Sequence, residues 1–304
     1  MSPVRPRPES DTPQLDVSVI IPALNVARYI GQQLEALARQ DYAGSWEVIV
    51  ADNGSVDETR DIVERSRDLL HNLQLVDASS RRGVASARNR GAEAASGRFL
   101  AFCDADDIVA PWWLRHLASE GRHHSICYGR LRFFRGEPPS PQKFSNSSNE
   151  HDGGLLTHPF GYLPFASGGN MLVSRESFTA LQGFDETYGA GEDVDFCWRA
   201  QYSGHTLGSA PEALIFIRLR ESPKEQFRQY RGYGKGEVRL YRDHARHGMP
   251  RSSAARAVAV YGWLLAVGSV VLVRRDPHYR FWVNALGRRC GRLAGSWHYR
   301  CLYL

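Results

Sequence analysis

Three carboxylates, Asp104, Asp106 and Asp107, follow directly on the apolar run FLAFC at 99–103. Gathered at a strand end, they repel one another unless a cation sits among them. Asp104 and Asp106 form a DxD pair, and alternation along an extended chain puts their carboxylates on one side. A hard divalent ion such as Mg2+ or Mn2+ takes oxygen ligands and bridges to phosphate, so one expectation is a metal that holds a nucleotide diphosphate. The other expectation is structural: Asp106 or Asp107 caps a helix that starts near Pro111.

Two further strand ends carry polar clusters, Pro22–Asn25 and Asp52–Ser55. Ligands of open parallel sheets bind at the carboxyl ends of the strands, so three such ends in register predict one cleft. Asp52 precedes Asn53-Gly54, a tight-turn pair. Its carboxylate also suits the N–H of a base, and the two roles are compatible. Arg81, Arg82 and Arg88 lie around the exit of the third strand. Arginine there offers bidentate contacts to phosphate, or simply a solvated surface. The segment GFDETYGAGEDVDFCWR (183–199) brings Asp185, Glu186, Glu192, Asp193 and Asp195. A carboxylate across the cleft could deprotonate an attacking hydroxyl; an acidic helix start that suits the dipole is the plainer reading. There is no GxxxxGK[ST] and no GxGxxG between a strand and a helix, and GYGKG (232–236) falls in a helical stretch. This argues against kinases and nicotinamide-dependent dehydrogenases.

The elements that position these groups follow from the apolar pattern. VSVIIPALN (17–25) is a continuous β-branched run, as in a strand buried on both faces, and Pro22 ends it. An amphipathic helix is predicted over 28–40, with Ile30, Leu34, Leu37 and Ala38 on one side. WEVIVADNGS repeats the strand-to-turn pattern, and Ser55 or Asp57 can cap a helix that runs to about Leu70. LQLVDAS is a third strand, GVASARNRGAEAASG a helix bracketed by Gly83 and Gly97, and RFLAFCDAD a fourth strand. This alternation predicts an α/β fold, a mostly parallel sheet flanked by helices. Past Pro111, CYGRLRFF, FASGGNMLVSR and ALIFIRLR read as strands, and GEDVDFCWRAQYSG as a helix. Residues 135–154 read as a polar loop, and the stretch from Ser222 to His244 as a helix broken near its glycines.

The composition, 42% hydrophobic and 23% charged, is that of a folded chain. The net charge of +5 is localised, because from Arg274 to Arg300 seven arginines meet one acid, Asp276. A nucleic-acid partner would want basic residues spread over a folded face, so none is expected; a basic tail beside an apolar segment suits a membrane surface. The five cysteines are scattered and form no CxxC, which suggests neither a zinc site nor a disulfide framework. With no apolar leader at the N-terminus, the expected compartment is the cytoplasm. Residues 1–15 are expected to be a disordered lead-in.

VSVIIPALN, VIVADNGSVDET, GVASARNRGAEAASGRFLAFCDADD, GGNMLVSR, GFDE and GEDVDFCWRA occur in that order between Asp16 and Tyr241. The set resembles family 2 glycosyltransferases of the GT-A fold. The resemblance implies an inverting enzyme that uses a nucleotide-sugar, most often a UDP-sugar. Matched by position, it implies that Pro22, Ala23 and Asn25 line base and ribose and that Asp52 meets the uracil edge. Gly83 and Arg88 would complete the nucleotide pocket, supported by Asn89. Asp104 would contact the ribose or the metal, and Asp106 would ligate a divalent metal (Mg2+ or Mn2+) that bridges the diphosphate. Asp193, beside Glu192, would be the catalytic base, with Gly168, Gly169 and Asn170 near the acceptor and donor sugar. Many relatives place a metal-binding His after the last strand; FIRLRES offers Arg218, which could instead pair with diphosphate. QFRQY (226–230) also departs from the QxxRW of processive synthases, so single additions are expected.

The apolar segment Ala257–Val273 would make a helix of roughly 25 Å, slightly short of a hydrocarbon core of about 30 Å. One span would put either the catalytic domain or the basic tail outside, against the positive-inside tendency. The expectation is therefore a GT-A domain over 16–245 and a membrane-associating helical tail over 246–304. That tail would lie on the cytoplasmic side, on anionic lipid, with Trp282, Trp297, Tyr299 and Tyr303 at the interface. A core helix packed on the domain is the alternative. Expected partners are a nucleotide-sugar donor, a glycan or lipid-linked acceptor, and the membrane surface. A nucleotidyltransferase would need a glycine-rich basic loop after the first strand, which PALNVARYIG does not supply. A silent nucleotide-sugar-binding scaffold would have no use for Asp104, Asp106 and Asp193 together.

Overall fold

The strand runs of the first hundred residues pair in parallel: β1 (Val17–Ala23), β2 (Trp46–Asp52), β3 (Leu73–Asp77) and β4 (Phe99–Cys103). Between them lie α1 (Ile30–Ala38), α2 (Thr59–Arg65) and α3 (Val84–Ala94). The computed structural model describes residues 15–137, 156–157, 161–274 and 279–304. The rest of the lead-in and most of the 135–154 loop lie outside these residues. Further along come β5 (Ile108–Val109), α4 (Trp113–Gly121), β6 (Ile126–Phe134), β7 (Leu156–Thr157), β8 (Pro164–Phe165), β9 (Asn170–Ser174), α5 (Arg175–Ala180), α6 (Glu192–Tyr202) and β10 (Leu207–Arg218). Eight strands form one sheet in the order β3-β2-β1-β4-β9-β6-β10-β5, with β9 and β5 antiparallel to their neighbours. The mostly parallel α/β sheet is thus as expected.

β1 is apolar throughout because both of its faces are covered. Val17, Val19 and Ile21 join Ile30, Leu34 and Leu37 of α1 in one core. Ile20 faces the other way, into a core with Phe102, Phe178, Phe184 and Phe196. The strands therefore end on one edge, and their polar ends are held there by two cores rather than by loops.

The C-terminal part differs from expectation. α7 (Pro223–His244) is one unbroken helix, started by Pro223 and a capping box between Ser222 and Glu225. Its glycines do not break it, because α9 (Tyr279–Tyr299) lies against them. Gly287, Gly291 and Gly295 of α9 meet Phe227, Arg231 and Lys235 of α7 in step, so the helices run in the same direction. No side chain would fit at this approach, and close packing offsets the roughly 1 kcal/mol that each interior glycine costs a helix. Glu237, buried between them, takes Arg288 at 2.9 Å and Arg292 at 2.6 Å. Tyr303 is fully buried and stacks on Tyr241 at 4.8 Å. Residues 279–304 are thus packing partners of α7. Of the aromatics expected at a lipid interface, Tyr303 is buried and Trp297 is 89% exposed. Between the two helices runs α8 (Ala254–Arg274), with Val258 and Leu265 turned to solvent. Among the described residues, no helix is long and apolar enough to cross a membrane.

Candidate active site

The site starts at Arg88, buried in the first half of α3. Its Nη2 donates to Asp104 Oδ1 and its Nη1 to Glu192 Oε1, each at 2.8 Å. One guanidinium therefore ties the end of β4 to the start of α6. Burial opposes its charge, but Asp104, Glu192 and Asp193 more than offset this and raise its pKa. Glu192 is pushed up to about 7 by burial and by Asp193, against the pull of Arg88. Gly168 and Gly169 lie flat on this bridge: a Cβ on Gly168 would meet Arg88 at 2.5 Å, and one on Gly169 would meet Asp104 at 2.8 Å.

Residues 104–107 form a turn, not the extended chain assumed from alternation. The three carboxylates accordingly diverge. Asp104 takes Arg88, Asp106 takes Arg220 at 2.6 Å, and Asp107 accepts the Arg218 backbone N–H at 2.9 Å. Neither Asp106 nor Asp107 caps α4, whose start lies beyond β5. Burial raises the Asp106 carboxyl against the pull of Arg220, with Asp104 adding to the rise. Burial, then Asp104 and Asp106, raise Asp107 well above the ordinary carboxylate range. Among the described residues, no three His, Cys, Asp or Glu side chains are grouped to hold a metal by themselves.

The Arg218 guanidinium is engaged within the protein. It donates to the Asp106 and Gly136 carbonyls and to Gln32 Oε1, between the rings of Tyr29 and Phe134. On the carboxylate ledge of Asp104 and Asp106, Arg220, two residues on, pairs with Asp106, as Arg88 does with Asp104.

Two cavities share that ledge. The first, of about 500 Å3, is lined by Pro22, Ala23, Asn25, Asn53 and Gly83 together with Asp104 and Asp106. Asn25 sits at φ 52°, and its Oδ1 accepts the Val56 N–H at 2.9 Å. Gly83, at φ 140°, donates its N–H to Asn53 Oδ1 at 2.8 Å, which locks two strand ends together. Asp52 is fully buried beneath this cavity and binds Arg60 at 2.9 Å and the Ser55 N–H, so Asn53 rather than Asp52 forms the lining. Asn89 holds the 184–186 turn, accepting from the Phe184 N–H and donating to Glu186.

The second cavity, of about 400 Å3, lies on the far side of Asp104 and Asp106 and is lined by Asp193, Phe165, Ser167, Tyr230 and Tyr233 among others. Asp193, in the first turn of α6, has Oδ2 on the Gly168 N–H at 2.9 Å and Oδ1 on the Val194 N–H at 2.8 Å, a fixed carboxylate facing the hollow. Asn170 faces neither cavity. Its buried amide accepts from Trp113 Nε1 and donates to the Arg130 and Ala213 carbonyls. The structure thus brings together Pro22, Ala23, Asn25, Gly83, Arg88, Asp104, Asp106, Gly168, Gly169, Glu192 and Asp193, and sets Asp52 and Asn170 behind them.

The family described as "Glycosyl transferase family 2" matches residues 18–181, more than half of the chain. The chain belongs to that family. Among its relatives is "Glycosyltransferase AglE" of Haloferax volcanii, 28% identical over 270 residues, covering 86% of this chain and 83% of the relative. Another is "Succinoglycan biosynthesis protein ExoA" of Rhizobium meliloti, 25% identical over 291 residues, with 89% and 86% covered. A mannosyltransferase of Pyrobaculum calidifontis, solved in complex with GDP-Man and Mn2+, superposes with a TM-score of 0.67 at 21% identity. That alignment covers 94% of this chain and 88% of that one. The fold is GT-A, and the enzymatic class is glycosyl transfer.

Proposed function

We propose that the chain is an inverting glycosyltransferase that moves a sugar from a nucleotide-sugar, in the first instance a UDP-sugar, to a hydroxyl of an envelope glycan or lipid-linked saccharide. What carries the reading is the shared ledge. A nucleotide in the first cavity and an acceptor in the second would meet across Asp104 and Asp106, with Asp193 on the acceptor side. The acceptor oxygen attacks the anomeric carbon, the bond to the diphosphate breaks, and Asp193 takes the hydroxyl proton. Asp193 holds its position through two backbone N–H groups, and Arg88 sets the distance between the two substrates by tying Asp104 to Glu192. The donor set at the ledge suits a hard divalent cation. It offers only oxygen, and burial leaves Asp106 and Asp107 under-compensated. Asp106, with Asp104, would hold Mg2+ or Mn2+, which supplies neutralisation of the departing diphosphate.

The test is a panel of UDP- and GDP-sugars, with and without EDTA, read as nucleoside diphosphate release. Asp193→Asn should lower transfer by about 10²–10⁴-fold and keep diphosphate binding. Unchanged transfer would remove Asp193 as the base.

Membrane association at the cytoplasmic face belongs to the same proposal. Its support is the solvent-facing Val258 and Leu265 of α8, with Phe281 of α9 also exposed and Arg251 and Arg256 alongside. Truncation after His247 would strip α9 from α7, so the cleaner variant is Leu265→Glu. It should reduce pelleting with anionic liposomes and leave transfer to a soluble acceptor intact. Undiminished pelleting would refute the α8 assignment.

A further inference from the structure

The helix α7 borders two separate hollows. Gln226, Tyr230 and Tyr233 line the acceptor-side cavity, together with Asn284 of α9. Arg228, Arg231, Gly232 and Lys235 line another hollow of about 500 Å3, a slot between α7 and α9 that Ala294, Trp297 and His298 complete. The two share no lining residue. Positions 228, 231, 232 and 235 follow the i, i+3, i+4, i+7 spacing of a single helix stripe, and Lys224 continues it one turn back. Gly232 and Lys235 belong to GYGKG, the glycine-rich run that has no part in the ledge.

This stripe is cationic and uncompensated. Further along the helix pair, Arg239 and Arg242 take Asp243, and Arg288 and Arg292 take Glu237. Among the described residues no carboxylate lies within ion-pair distance of Arg228, Arg231 or Lys235, and the slot has no Asp or Glu in its lining. Glu225, one turn before Arg228, lines the nucleotide-side cavity instead. Lys235 lies over the Tyr299 ring at 5.6 Å. Like charges three and four residues apart destabilise a helix, so the stripe is unfavourable unless an anion joins it. Room for one is present, since a Cβ on Gly232 would meet nothing within 4 Å. Long basic side chains thus stand around a floor of Gly232 and Ala294, with the exposed Trp297 beside them.

The number of cations restricts the anion. A carboxylate has two oxygens in one plane, and a single guanidinium fork satisfies it. Two arginines and a lysine around one slot suit an anion with more than one charge and with oxygens in several directions, which is a phosphate. We propose that the slot between α7 and α9 is a phosphate-ester site, with Arg228 and Arg231 on the phosphoryl oxygens and Lys235 as the third charge. Trp297 gives the carrier of the phosphate an apolar face. An anionic lipid headgroup and a soluble phosphate ester both supply that chemistry. The site is distinct from the carboxylate ledge and independent of the transferase reading.

The experiment uses the full chain and two probes. Glycerol 1-phosphate is titrated in by calorimetry and phosphorus NMR, with and without UDP and Mn2+ to fill the ledge. Vesicles of phosphatidylcholine, alone and mixed with phosphatidylglycerol, are used for pelleting. The ester should bind equally with and without UDP, and more tightly than acetate. Arg228→Gln and Arg231→Gln should each weaken binding about tenfold, the loss of one charge-assisted hydrogen bond. Arg231→Lys, which keeps the charge, should weaken it less. Thermal unfolding near wild type in each variant excludes misfolding. Ester binding without added pelleting on phosphatidylglycerol assigns the slot to a soluble ligand. Pelleting on phosphatidylglycerol that Arg231→Gln reduces assigns it to a headgroup. The proposal is overturned if both glutamine variants leave ester binding and anionic pelleting at wild-type levels. It is also overturned if UDP displaces the ester, or if acetate binds as tightly.

Discussion

The hollows on either side of the carboxylate ledge are made by different means. The first is a set of strand ends closed by short turns, where Asn25, Asn53 and Gly83 fasten one end to the next. The second is assembled from pieces far apart in sequence, among them Phe165, Asp193, Tyr230 and Asn284. Its helical wall is held by α9 lying on α7 and by Val238 and Leu240 of α7 packing with Tyr188 and Trp198. The first hollow is positioned by two cores and the second by a line of glycines. Chemistry common to a family can therefore be fixed at the strand ends, while the helix pair is open to variation.

Substitutions can break or sharpen that contrast. Arg88→Leu should be the most damaging, because it strands the buried Glu192 and frees Asp104. Breaking a buried ion pair costs about 3–5 kcal/mol. Denaturant unfolding should show that loss, with diphosphate and acceptor affinity falling together; loss of one alone would mean that the ledge is not shared. Gly291→Ala, whose Cβ already meets the Arg231 backbone, should force α9 off α7 and be one-sided. Diphosphate titration should be nearly unchanged while acceptor binding is lost. Equal damage to both would erase the distinction between the hollows.

The smallest effect is one of pH. Glu192 titrates at about 7 in the folded chain, above the roughly 4.3 of an unfolded glutamate. Between these values the native state binds more protons than the unfolded state. Stability is then full below the unfolded value and falls as pH rises to about 7, with a slope of up to ~1.4 kcal/mol per unit. Glu192→Gln should flatten that window in chemical denaturation run at several pH values. An unaltered slope would move the proton elsewhere.

The contrast also explains what could be read from the sequence. The strand ends were legible because β-branched runs stop at polar residues with short local spacing, whereas the turn at 104–107, which sends its three carboxylates to separate partners, was not. Asp52 and Asn170 were not, because nothing in their motifs shows that Arg60 and Trp113 already engage their side chains. Arg218 is the last residue of β10 and Arg220 lies two beyond it, and that end is set by pairing with β6. The unbroken α7 was hidden because its glycines weaken a lone helix; the Gly287, Gly291, Gly295 spacing of four was the available signal for a partner. Gln226 and Asn284 carry no local sign at all, being joined only by the packing of α7 and α9.

Because Asp104 and Asp106 border both compartments, no alteration there stays private to one substrate. Descendants of this chain can exchange recipients by redecorating the rim of the helix pair, and nucleotides by editing the turns after the first two strands. The ledge itself, where both choices meet, is the part that lineages should inherit as a block.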